Sequence, residues 1–239
     1  VAAKKFKNKE ALCFEGKSFT FEELSKLIKK FSSSLSSLGI KEKDVVTLYA
    51  SNSWEWIVSY FSIARIGAII NPVNTMLTPS EIKHVVNDCK AKAIITSSDK
   101  VQSIINIKNE TSVSTLISFG KAPQGAEAFN NLIEKETKPI EMPNISPEDL
   151  STIGYTSGTT GHPKGAMQSH KSVIINGAMT SQLHMRGPED VVVSALPCPH
   201  VYANVLMTGM MMFGTKLVLH QTFDPLNVFK DIEKHKATI

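Results

Sequence analysis

The sequence predicts an α/β fold, a mainly parallel sheet or sheets flanked by helices, and three observations carry that prediction. Apolar runs of strand length alternate with stretches of helical periodicity along the whole 239-residue chain. Helix-start and helix-stop residues punctuate the helical stretches. A glycine-rich loop, Gly154 to Gly165, follows a strand-like run, the position of ligand loops at the carboxyl edge of parallel sheets.

The elements follow in order. Thr20-x-x-Glu23 is a capping box, and Leu24, Leu27, Ile28, Phe31, Leu35 and Leu38 follow at helical spacing until Gly39. "DVVTLYA" reads as a buried strand, "SWEWIVSYFSIARIG" as a helix stopped at Gly67, and "AIINPV" as a strand. Thr78-Pro79-x-Glu81 starts the next helix, with proline at its first position. "AKAIITS" and "VSTLISF" are strands with a short helix between them. The proline- and charge-rich run "EKETKPIEMPNISPED" reads as a surface linker. It separates a first α/β subdomain, 1–150, from a phosphate-loop-containing segment, 151–239. In that segment "LSTIGYT" is a strand, then come the loop, a short strand at "GAMQS" and a helix over "HKSVIINGAMTSQLHM". The strand "DVVVSALP", a helix from Val201 to Phe213, the strand "KLVLH" and a helix from Pro225 complete the pattern.

Composition narrows the function classes. Lys plus Arg number 26 against 22 Asp plus Glu, a net charge of +4, too mild for a nucleic-acid-binding field. Cys13, Cys89 and Cys198 are odd in number and widely spaced, so neither a disulfide framework nor a zinc site is expected, and a reducing cytoplasmic setting is. The longest apolar stretches fall short of the about 20 residues of a membrane span. His84, His170, His184, His220 and His235 show no metal-ligand spacing, and Met210, Met211 and Met212 read as core packing.

The loop carries the chemistry. Four of the 13 glycines lie between Gly154 and Gly165, and four hydroxyl residues lie between Thr156 and Thr160, with Lys164 closing the run. Bare backbone lets successive N–H groups point into one concavity, which prefers anions, and a lysine adds a full positive charge. Polyphosphate is the expected guest. Clusters of Gly, Ser and Thr also make ordinary surface loops. The run is neither a Walker A element, since lysine precedes glycine, nor the dinucleotide G-x-G-x-x-G.

"YTSGTTGHPKG" resembles the phosphate-binding signature of adenylate-forming enzymes: acyl-CoA synthetases, luciferases and the adenylation domains of peptide synthetases. "SPEDLSTIGYTSG" is similar to the family's lead-in, "GAMQSHKSV" to its strand and following helix, and "NPVNTMLTPSEIKHVVNDCKAKAIIT" to a segment of fatty-acyl-CoA ligases. The resemblance implies the large N-terminal domain of such an enzyme and a two-step reaction. A carboxylate, expected to be a fatty acid, attacks MgATP to give acyl-adenylate and pyrophosphate, and coenzyme A then displaces AMP. It further implies that Thr156, Ser157, Gly158, Thr159, Thr160, Gly161 and Lys164 hold the ATP phosphates, with Lys164 acting in catalysis. His162 occupies a variable position of the signature.

"ALPCPHVYANVLM" resembles the family's substrate-pocket motif and places His200 at the acyl site. Pro199 stands where an aromatic residue is usual and Ala203 where glycine is common. The family's Tyr-Gly-x-Thr-Glu segment and its later ribose-binding aspartate and C-terminal lysine have no counterpart before Ile239. The chain is therefore expected to be the N-terminal piece of a longer enzyme, without the C-terminal domain. It is expected to be inactive alone and to self-associate, as a homo-oligomer or otherwise, through uncovered apolar surface. Two rival readings stand: an adenylation domain loading a carrier protein, and a nonenzymatic phosphate- or nucleotide-binding module.

Overall fold

Capping chemistry places several of the helices. The computed structural model describes residues 2–136, 138–156 and 163–239. After α1 (Ala2–Lys5), β1 (Glu10–Phe14) and β2 (Lys17–Thr20), helix α2 runs from Phe21 to Ser37. Its start is the capping box: Thr20 N–H donates to the Glu23 carboxylate at 2.8 Å, and Glu23 N–H donates to Thr20 Oγ1 at 3.2 Å. Gly39, at φ +84°, ends it. β3 (Val45–Tyr49) is buried throughout and leads to α3 (Trp54–Arg65). Ser53 Oγ caps α3 by accepting from Trp56 N–H at 3.1 Å, and Gly67 at φ +71° closes it.

β4 (Ile69–Pro72), α4 (Pro79–Asp88), β5 (Ala93–Ser97), α5 (Val101–Lys108) and β6 (Thr115–Phe119) continue the alternation. Thr78 and Glu81 form the second capping box, with Pro79 in the first turn of α4. β7 (Glu127–Ala128) and α6 (Phe129–Glu134) come next, and between α6 and β8 (Leu150–Thr156) the described residues form no helix or strand. β9 (Lys164–Ser169), α7 (His170–Leu183), β10 (Val191–Ser194), α8 (Val201–Phe213), β11 (Lys216–Leu219) and α9 (Pro225–His235) follow.

The strands form two sheets among the described residues, one of four strands in the order β10-β11-β1-β2 and one of seven in the order β7-β6-β5-β3-β4-β8-β9. Pairing is parallel except for β1 with β2 and β8 with β9. The mainly parallel α/β architecture is the one the sequence predicts.

The chain forms two compact units, each built from separated segments. The first comprises Val1–Leu27, Ser51–Ile57 and Lys171–Ile239, and contains the four-stranded sheet. Ile28–Ala50 and Val58–His170 make up the second, which contains the seven-stranded sheet. Its core takes Val45 from β3, Ile69 from β4, Ile82 and Val85 from α4, Ile94 from β5 and Ile104 from α5. The apolar positions that give α4 its helical period are thus the ones removed from water, and that burial supplies the main driving force for the unit.

Candidate functional site

β8 leads to the glycine-rich sequence, and its neighbours decide at which edge of the sheet the strand ends. The strand runs parallel to β4, in register at Ile70↔Thr152. Its carboxyl end therefore lies at the same edge as those of β4, β3, β5 and β6, the edge at which such sheets take ligands. Ser151, Thr152 and Ile153 are buried, and exposure rises to Thr156 at the tip.

A buried side-chain relay fastens β8 to the sheet interior. Asn71, in β4, donates from Nδ2 to the Ile153 carbonyl at 2.8 Å and accepts at Oδ1 from Thr47 Oγ1, in β3, at 2.9 Å. Both Asn71 and Thr47 are fully buried. Buried polar groups are stabilising only when their partners are in place, and here each amide end has one. The Tyr155 hydroxyl bonds the Asp88 carboxylate at the end of α4. Burial, and then that carboxylate, push the Tyr155 phenol far up, so it stays a protonated donor. Beside it Cys89 bonds Asn71 Oδ1 at 3.8 Å, and burial raises its thiol to about 11.

β9 returns antiparallel to β8, with Thr156 paired to Lys164 and Tyr155 to Gly165. Directly paired residues project to the same face, so Thr156 and Lys164 stand side by side at the mouth of the loop, both exposed. A side chain at position 165 has no room: its Cβ would lie 2.9 Å from Ile153 Cγ2 and 3.2 Å from Tyr155 Cζ. The glycine lets β9 close onto β8 under the Tyr155 ring. Ser157, Gly158, Thr159, Thr160, Gly161 and His162 lie outside the described residues.

His200 belongs to the other unit. It is exposed and forms the N-cap of α8: Nδ1 accepts from Tyr202 N–H at 3.2 Å, while its carbonyl accepts from Asn204 N–H at 3.2 Å. With Nδ1 an acceptor, the neutral ring carries its proton on Nε2. Leu196, Val201 and Tyr202 expose apolar surface on either side of it in the chain.

Among the described residues no group of His, Cys, Asp and Glu could hold a metal ion. No described helix is long and apolar enough to cross a membrane. The three cysteines are free thiols. Sequence reasoning passed over Asn71; its signal is a polar residue inside the apolar run "AIINPV", where a buried strand has no use for an amide unless it bonds something.

The model of the family described as AMP-binding enzyme matches residues 1–239. An indoleacetate–CoA ligase from Aromatoleum aromaticum is 29% identical, over 97% of this chain and 46% of its own length. A 4-coumarate:CoA ligase from Petunia hybrida is 30% identical, over 92% of this chain and 41% of its own. The chain thus spans less than half the length of these curated relatives. Among solved structures, a long-chain-fatty-acid-CoA ligase from Archaeoglobus fulgidus superposes with a TM-score of 0.92 at 26% identity, covering 99% of this chain and 49% of that one.

Proposed function

Because the chain belongs to the AMP-binding enzyme family, we propose that it supplies the phosphate-handling part of an ATP-dependent acid–thiol ligase. In the first step a carboxylate oxygen attacks the α-phosphorus of ATP, the bond to the β-phosphate breaks, and pyrophosphate leaves. In the second the thiolate of coenzyme A attacks the acyl carbonyl and AMP leaves. Charge accumulates on the departing pyrophosphate, and preorganised donors aimed at it lower the barrier.

The observation that carries this reading is the pairing of Thr156 with Lys164 at the carboxyl edge of the parallel strands. It sets a hydroxyl and an ammonium together at the entrance of the loop. Thr156, Ser157, Gly158, Thr159, Thr160, Gly161 and Lys164 are the proposed phosphate-binding residues, with Lys164 moving with the leaving group. The described residues hold no cluster of three or more His, Cys, Asp or Glu for a metal ion; magnesium arriving with ATP would be held by phosphate and water oxygens with one or two carboxylates.

His200 is the proposed contact of the acid. A fatty acid is the proposed substrate, supported by the likeness to the long-chain ligase. The second reading is an aryl-substituted carboxylate, favoured by the names of the two curated relatives.

ATP–pyrophosphate exchange in the full-length enzyme tests the proposal. Lys164→Ala removes one charge-assisted contact, worth about 1.5–3 kcal/mol, and should slow exchange roughly tenfold to a hundredfold with the fold intact. Unchanged exchange kinetics would remove Lys164 from the mechanism. A panel of long-chain, short-chain and aromatic acids decides between the two substrates.

A further inference from the structure

The segment that leads to His200 is held in place by one side chain from a distant part of the sequence. Asn52 lies two residues before α3, next to the cap residue Ser53, and is 3% exposed. Its Nδ2 donates to the Leu196 carbonyl at 2.9 Å and to the His220 carbonyl at 3.0 Å. Its Oδ1 accepts from Cys198 N–H at 2.6 Å. Both amide protons and the amide oxygen are engaged, so the partners fix the orientation of the side chain.

These bonds fall on the stretch that is hardest to hold by other means. β10 ends at Ser194 and β11 at Leu219, paired with each other, and the chain leaves both strands at that edge. From there to α8 it reads Ala195-Leu196-Pro197-Cys198-Pro199-His200, and its two prolines have no N–H to give. The Leu196 N–H turns to Ser194 Oγ at 3.2 Å and the His200 N–H to Pro197 O at 2.8 Å, both local bonds. The Asn52 bonds instead reach across 144 and 146 positions. They tie the segment to the capped start of α3 and to the end of β11. Position and direction of the His200 ring follow from this backbone.

We propose that Asn52 is the positioning residue of the acyl-binding segment, acting through the backbone of Leu196 and Cys198 and not by touching the acid. This rests on the reading of His200 as the contact of the acid. Asn52 sets the register of that contact, so its loss loosens the choice among acids before it weakens nucleotide binding. A merely structural asparagine would lower stability and leave the relative handling of acids and ATP alone.

The test uses the full-length enzyme with Asn52→Ala, Asn52→Asp, His200→Ala and, as a destabilised control, Ile63→Val in the core, where Ile63 is fully buried. Asn52→Asp keeps the volume and the acceptor for Cys198 N–H but has no protons for the two carbonyls, and it carries the test should Asn52→Ala not fold. The readouts are KM for ATP and for each of a panel of short, long and aromatic acids, with thermal midpoint measured alongside. Misplacement of a substrate contact is expected to raise the KM of the preferred acid about tenfold to a hundredfold and to flatten the acid preference. ATP KM is expected to stay within about twofold, and Ile63→Val to change neither. Equal losses for every acid and for ATP in the Asn52 variants overturn the inference. So does an unchanged acid profile in them while His200→Ala shifts it, which leaves the acyl-site reading standing. An unchanged profile in both sets overturns the acyl-site reading as well.

Discussion

The side-chain amide of Asn71 bonds the carbonyl of Ile153 at 2.8 Å, three residues before the strand β8 gives way to the glycine-rich loop. A single β4 side chain thereby does for β8 what a ladder hydrogen bond does between backbones. Replacing Asn71 with Ala leaves both the Ile153 carbonyl and the Thr47 hydroxyl without this partner. Each buried group so left costs about 1–3 kcal/mol. Urea denaturation of the 239-residue chain should show a lower midpoint with little change in slope. An unchanged midpoint would mean the relay is dispensable.

His200 combines a cap with the proposed acid contact, and two substitutions separate them. Asparagine is a good N-cap, so His200→Asn keeps α8 started and removes only the imidazole. It should retain thermal stability and change carboxylate preference. His200→Ala should lose about 0.5–1 kcal/mol of stability in addition. Equal acid profiles for wild type and His200→Asn would assign the residue to the cap alone.

The packing of α7 on α8 gives a prediction about stability. A methyl group on Gly177 would lie 2.7 Å from Thr208 Cγ2 and 2.9 Å from Thr208 Cβ. The Cβ cannot rotate away, so the helices must part. On Gly209 the methyl would meet Ser181 Oγ at 2.6 Å, an atom that a rotamer change moves. Overpacking costs about 1–3 kcal/mol, offset by roughly 1 kcal/mol of helix propensity gained. Gly177→Ala should therefore destabilise the chain more than Gly209→Ala, as compared by thermal melts of the two variants.

A pH dependence follows from His235. Burial, and then the Lys216 ammonium, hold its imidazole below the ordinary value of 6.5, against the opposing carboxylates of Asp231 and Glu10. The unfolded chain then binds the proton more readily than the folded one, so stability falls as pH drops through about 6.5 and is retained above it. Melting the chain between about pH 5 and 8 should show this slope, and His235→Gln should flatten it. A slope unchanged by the substitution would assign the acid sensitivity to other groups.

The parts legible in the sequence are those with local causes. Thr20 with Glu23 and Thr78 with Glu81 announce two helices, and both capping boxes are present. Apolar runs such as "DVVTLYA" are buried strands because the few polar side chains of the strand itself, Thr47 and Tyr49, find partners inside the protein. β1 and β2 are short and carry Glu10, Lys17 and Ser18, so their pattern is too weak to stand out. That β1 pairs with β11, Leu12 against Leu217, is a contact between remote segments that periodicity does not encode. The loop announces itself by composition, whereas Asn71 and Asn52 are lone asparagines whose meaning lies in partners far along the chain.

The bond from Cys198 N–H to Asn52 also supplies the protein with its own chemical reporter. Cys198 is 2% exposed, and burial pushes its thiol well above the ordinary range. Thiolates, not thiols, attack alkylating reagents, so a closed segment shields this sulfur twice, by access and by protonation. Each excursion that breaks the Asn52 bonds would uncover it. The rate at which iodoacetamide marks the peptide holding Cys198 then counts those excursions directly, with partly exposed Cys89 in the same digest as an internal clock.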